Sequence, residues 1–328
     1  MGKIQFYLVE AIPDLANPPV LCLDHHTQSL SQEPFGAFPI STYCIIYYVK
    51  IWGGVSMGFY IKVDTDVKIY VEDLNPEAEK TILFIHGWPA NHKMFEYQFD
   101  QLPKRGYRCI GIVCRGFGNS DKPWYGYDYN TLSDDIRCVI ESLNLHDITL
   151  GGHSTGGGIA VRYMARHKGY GVSKLALFAS AAPSLIQRPY FPYGIKKEDV
   201  IKIIQGTNTD RPEMLRNFGN TFFFQHVTQA FSDWFFQMGL QAAGWSTAAI
   251  AVSWIKEELF ADLEEIYVPT LILHGIHDKV CLFPLAIAQH EGIRHSKLVP
   301  FEYSGHGLFY DERDKFNKEL IQFIEESV

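Results

Sequence analysis

Apolar and polar positions alternate strictly at 59–63 and 67–71, and Asp64-Thr65-Asp66 between them is turn chemistry, so these segments predict a β-hairpin. The pattern then changes. The short runs at 81–85, 109–113, 147–150, 174–178, 270–273 and 298–301 are largely apolar, with little alternation. Such runs predict strands buried on both faces, as in a parallel sheet. Helical stretches at 131–143, 157–167 and 316–326 lie between or after them. Thr131-Leu132-Ser133-Asp134 reads as a capping box starting the first of these. From 184 to 265 only helical periods occur, at 197–205, 211–218, 228–240 and 247–260. The prediction is an α/β architecture: a mostly parallel eight-stranded sheet with helices on both faces. Residues 57–183 and 266–328 form its core, and 184–265 are inserted between two strands as a helical cap, or lid.

Residues 1–56 fit nothing in this pattern, and prolines at 13, 18, 19, 34 and 39 interrupt every candidate element. Trp52-Gly53-Gly54 requires a G-rich codon run shortly before Met57, resembling a ribosome-binding site translated in frame. The segment is therefore expected to be an N-terminal extension that is not native, with the working chain starting at Met57. Its most apolar stretch, 35–49, is shorter than the roughly 20 residues that span a bilayer, and no stable membrane insertion is expected.

Composition narrows the classes. A net charge of −8 argues against nucleic acid as a partner. The six cysteines, Cys22, Cys44, Cys109, Cys114, Cys138 and Cys281, show no metal or redox spacing, and read as buried thiols of a cytoplasmic protein. Aromatic density at Phe222-Phe223-Phe224 and Trp234-Phe235-Phe236 fits either core or an apolar pocket lining.

Candidate chemistry centres on Gly152-His153-Ser154-Thr155-Gly156, where a strand ends and a helix begins. A sharp turn there lifts a serine hydroxyl above the sheet. Serine needs a base, and His306 directly follows the last strand. The imidazole needs an acceptor, and Asp278 follows the preceding strand; the loop 179–183 has no carboxylate to compete. Oxyanion donors are expected from the amide of Thr155 and, in His86-Gly87-Trp88-Pro89, that of Trp88. His153, Phe222, Phe223 and Trp234 are candidates for the substrate pocket. His274-x-x-His277 lacks further ligands at zinc-like spacing, so no metal is expected.

His86-Gly87-Trp88-Pro89, Arg115-Gly116-Phe117-Gly118-Asn119-Ser120, the turn at Ser154, Asp278 and His306 together resemble the α/β-hydrolase superfamily over about residues 58–328. The string Gly152 to Gly158 and the helical insertion look like its bacterial carboxylesterases and cofactor-free haloperoxidases. Two positions depart from the pattern. Thr155 stands where those haloperoxidases commonly carry Met, which weakens a peroxidation reading. Val113 stands where the family has Asp, so the loop at Arg115 is expected to be held differently. The resemblance implies a cofactor-independent serine carboxylesterase acting on small-molecule esters. Perhydrolysis, carbon–carbon hydrolysis on the same triad and a ligand receptor on the same fold stay open. The His-Gly-Trp-Pro tetrad is shared with epoxide hydrolases and haloalkane dehalogenases, but those carry aspartate where this chain has Ser154.

Overall fold

The computed structural model describes residues 7–9, 46–48 and 56–326. Most of the 1–56 segment, with Cys22 and Cys44, lies outside the described residues. The hairpin is β3 (Ser56–Asp64) and β4 (Val67–Leu74), and Met57 pairs with Asp73 inside it. Six parallel strands follow: β5 (Lys80–Ile85), β6 (Tyr107–Ile112), β7 (Ile148–His153), β8 (Val172–Phe178), β9 (Thr270–Gly275) and β10 (Ser296–Phe301). The strand order is β3-β4-β6-β5-β7-β8-β9-β10, with β4 antiparallel to β6. This is the predicted eight-stranded sheet. Two three-residue strands, β1 (Tyr7–Val9) and β2 (Ile46–Tyr48), extend its edge, β2 pairing antiparallel with β3. Three residues are too few to show a period, so the sequence pattern did not predict them.

Side chains of the central strands divide between two cores, as the pleat requires. On β5, Leu83 and Ile85 enter one core while Ile82 and Phe84 enter the other. The first core is covered by α2 (Tyr129–Ser142), α3 (Thr155–Arg166), α8 (Phe260–Glu264) and α9 (Phe283–Gly292). The second is covered by α1 (Glu96–Gln101), α10 (Leu308–Asp311) and α11 (Arg313–Glu325). Among the described residues, five helices lie between β8 and β9, in the expected insertion: α4 (Lys197–Thr209), α5 (Arg211–Gly219), α6 (Gln229–Leu240), α7 (Gly244–Lys256) and α8, which packs on the first core.

Two boundaries differ from expectation. Helix α2 is capped by Asp128, whose Oδ1 accepts the Thr131 amide at 3.0 Å, so Thr131 lies inside the helix and the predicted capping box is displaced. The single helix expected at 247–260 is two, broken where Glu257 is extended. The Glu257 carboxylate accepts the Tyr129 amide at 3.0 Å and pairs with Arg162, and its carbonyl accepts from Arg188. Those partners compete with helix continuation.

The loop after β6 is held by charge. Arg115 is 1% exposed and binds Asp135 of α2 through two hydrogen bonds of 2.7 and 2.6 Å. His86 adds a second tie: its Nε2 accepts the Cys114 amide at 3.0 Å. Burial pushes the His86 imidazole down to about 4, which keeps that lone pair available at neutral pH. With Val113 in place of a carboxylate, these partners set the loop.

Removing one partner of the buried pair strands the other charge. Arg115→Met is expected to cost about 3–5 kcal/mol in urea unfolding, and adding Asp135→Leu to recover most of the loss. A single variant as stable as the parent would show that water reaches the pair.

Candidate active site

The turn at Ser154 is built by backbone proximity. Ser154 has φ 55° and ψ −120°, a conformation costly for a residue with a side chain. A Cβ on Gly152 would stand 2.4 Å from the Gly156 carbonyl oxygen, and one on Gly156 would stand 2.5 Å from the carbonyl oxygens of Ile85 and His86. Only glycine lets β7, α3 and the end of β5 approach so closely. Neighbouring strands hold the strained residue: Ser154 N–H donates to Phe178 O at 3.0 Å, and Ser154 O accepts from Ala181 at 2.9 Å and from Gly157 at 2.9 Å.

The other two residues arrive from the next strands. Asp278 follows β9, and Oδ1 accepts the amides of Val280 and Cys281 at 2.8 and 2.9 Å. Its Oδ2 accepts Nδ1–H of His306, which follows β10, at 2.7 Å. His274 places its Nε2 3.4 Å from the same oxygen. Burial alone would raise this carboxyl, but the imidazoles of His306 and His274 and the hydrogen bonds outweigh it, holding Asp278 well below the usual carboxylate range. His306 is fully buried, and its Nε2 has no hydrogen-bond partner among the described residues. Ser154 Oγ rests 3.9 Å from Cys281 Sγ. Nucleophile–base bonds are often loose before substrate binds.

Both expected oxyanion amides are unengaged by other residues among those described. Thr155 opens α3, where first-turn amides lack intrahelical acceptors. Trp88 lies in the loop after β5 and is 3% exposed.

The pocket candidates separate. His153 is fully buried, and its Nε2–H donates to the carbonyl of His306 at 2.9 Å, so it braces the loop of that residue. Phe222 sets its ring edge-on to His306, centroids 4.7 Å apart. Phe223 packs on Phe309 and Tyr310 and lines a cavity of about 210 Å³ with Leu215, Arg216, Gln225, Phe235 and Phe236. That cavity lies wholly within the insertion, and Ser154, Asp278 and His306 are not among its walls. Trp234 contacts Phe231, which stands between it and Phe223 in the chain of ring contacts.

Several residues went unread in the sequence. The Nε2–H of His274 donates to Cys281 O at 2.6 Å, while His277 stacks on exposed Phe224; the two histidines face different surroundings. The spacing Asp278-x-x-Cys281, a turn in which a carboxylate caps its own loop, could have placed Cys281 near the acid. Asp311 was also missed. Its carboxylate accepts the amides of Phe224, Gln225 and Gly305 at 2.9, 3.0 and 2.9 Å, joining the insertion to the His306 loop. No local signal marks it.

The sequence model of the alpha/beta hydrolase fold family matches residues 80–312. The chain belongs to the α/β-hydrolase family. This hydrolase is 46% identical over 267 residues to the AB hydrolase superfamily protein YisY of Bacillus subtilis (strain 168), covering 81% of the chain and 99% of the relative. It is 30% identical to non-heme chloroperoxidase CPO-A1 of Kitasatospora aureofaciens, covering 79% of the chain and 96% of that protein. Among solved structures, an esterase from Exiguobacterium antarcticum is 43% identical with a TM-score of 0.80, covering 81% of the chain and 99% of its own. A bromoperoxidase from Bacillus anthracis is 30% identical with a TM-score of 0.78, covering 82% of the chain and all of its own. Among the described residues, no helix is long and apolar enough to cross a membrane.

The hydrolase should be intolerant of a side chain at Gly152. Gly152→Ala drives a methyl into the Gly156 carbonyl and is expected to cost at least about 2 kcal/mol. Differential scanning calorimetry checks this, and an unchanged melting temperature would refute the packing argument.

Proposed function

We propose that this protein is a carboxylesterase that cleaves small-to-medium carboxylic esters through an acyl-serine intermediate. The observation that carries this reading is the buried His306–Asp278 hydrogen bond of 2.7 Å, with the far nitrogen of His306 left without a partner among the described residues. An imidazole so held has its proton on Nδ1 and its basic lone pair on Nε2. Ser154 Oγ attacks the ester carbonyl as His306 Nε2 takes its proton. The Asp278 carboxylate stabilises the imidazolium, and the amides of Thr155 and Trp88 take up the developing oxyanion. His306 then gives the proton to the departing alcohol. Water repeats the sequence on the acyl-enzyme, releasing acid and free serine.

The esterase neighbour at 43% identity supports this reading. The relatives named for haloperoxidase activity, and a 28% identical bifunctional esterase/perhydrolase from Acinetobacter calcoaceticus, favour a second use of the acyl-enzyme. Hydrogen peroxide in place of water would give a peracid by the same route.

Ser154→Ala should lower kcat on p-nitrophenyl acetate by at least about a thousandfold while leaving the melting temperature nearly unchanged. A variant keeping a tenth of the parental rate would remove Ser154 from the nucleophile's role. Asp278→Asn should lower kcat far more than it raises KM, because an amide neither stabilises an imidazolium nor favours the working tautomer. Equal activity would mean that another group orients His306.

A further inference from the structure

Helix α7 touches both residues that carry the oxyanion amides. The indole N–H of Trp88 donates to the Thr247 carbonyl at 3.1 Å. The indole N–H of Trp254 donates to the Thr155 hydroxyl oxygen at 3.0 Å. Residues 247 and 254 are two turns apart and so share one face of α7. The two indoles meet edge to face, centroids 4.9 Å apart, and Trp88, Thr155, Thr247 and Trp254 are all buried.

The helix is fixed to the core. The Ala243 amide and the Ser246 hydroxyl both donate to the Gly116 carbonyl, at 3.0 and 2.8 Å, and the Ser253 hydroxyl donates to the Tyr127 carbonyl at 2.8 Å. Gly116 belongs to the loop that Arg115 anchors through Asp135. A continuous run of bonds therefore connects α2, the Arg115 loop, α7 and the two oxyanion residues.

Donors to an oxyanion are useful only if their positions are set before charge develops, to within about half an ångström. The amide of Thr155 is aimed by α3. Trp88 lies in a turn closed by the Ala90 amide on the Gly87 carbonyl at 3.0 Å, and its side chain is held by α7. We infer that α7 is the template that sets the spacing of the two oxyanion donors, with Trp254 a positioning residue acting through the Thr155 hydroxyl. This rests on the esterase reading above. The insertion then has two parts with different duties: α7 belongs to the catalytic frame, and the 222–225 segment covers His306.

The test compares Trp254→Phe, Thr155→Val, Thr155→Ser and the pair W254F/T155V in the full chain. Each is measured for kcat and KM on p-nitrophenyl acetate and for inhibition by an aryl trifluoromethyl ketone, whose adduct with serine bears the oxyanion. W254F and T155V should each lower kcat roughly tenfold with KM within about twofold, and raise the ketone's inhibition constant by the factor lost from kcat/KM. T155S keeps the acceptor and should lose clearly less of kcat than T155V. Adding W254F to T155V should cost less than the two single losses combined, because the bond is already gone and only the Trp254–Trp88 ring contact changes further. Parental ketone affinity in both single variants, or additive losses in the pair, would overturn the assignment. Should W254F lose its cooperative melting, T155V against T155S carries the comparison, since Thr155→Val is nearly isosteric and Thr155→Ser keeps the hydroxyl. Ser154→Ala is the control. If it retains turnover and ketone inhibition, the esterase reading fails. If it abolishes both while the α7 variants behave as the parent, only the template fails.

Discussion

Backbone approach at the Ser154 turn is the constraint on which the site depends. Gly152 and Gly156 let the end of β7 and the start of α3 close around Ser154, and Gly156 lies against the last carbonyls of β5. Because β5, β7 and β8 are neighbours in that order, both flanking strands reach the turn. One supplies the loop with Trp88; the other supplies the Phe178 carbonyl that holds the Ser154 amide. Parallel pairing of β8, β9 and β10 then brings Asp278 and His306 to the same edge of the sheet. A wider turn would displace the hydroxyl from every group gathered around it.

Electrostatics at that edge follow from a shortage of negative charge. His153, His274 and His306 are fully buried around a single carboxylate, Asp278. Its four acceptor positions face two amides and two imidazoles. Burial pushes His153 well below the usual histidine range, and His86 likewise. These two serve as neutral scaffolding, one bonded to the His306 carbonyl and one to the Cys114 amide.

Most of the sheet was legible in the sequence because its strands are short apolar runs bounded by turn chemistry. The places of Ser154, Asp278 and His306 at one edge of the sheet were legible because each follows such a run. What went unread depends on partners distant in sequence. Trp254 and Thr155 are 99 residues apart and Trp88 and Thr247 are 159 apart, so no local pattern joins them. Helix α9 was missed because its residues are apolar nearly all round, leaving no face to detect. His153 was expected in a pocket for its place beside the nucleophile, but in β7 alternate side chains point to opposite faces, and its ring goes to the His306 loop. The displaced start of α2 has a local cause, since Asp128 and Thr131 both suit a cap and only the backbone of Asp128 is extended.

Asp311 fastens the cover over His306 at a single point. A single carboxylate accepts amides from two segments, Phe224 and Gln225 on the insertion and Gly305 beside the histidine. The Gly307 amide also donates to Phe222 O, at 2.9 Å. Detaching the insertion here releases several amides in one event, because they share an acceptor or lie on the same stretch. The cover is thus tied to the histidine's own loop at one carboxylate, and any opening there would release those amides together.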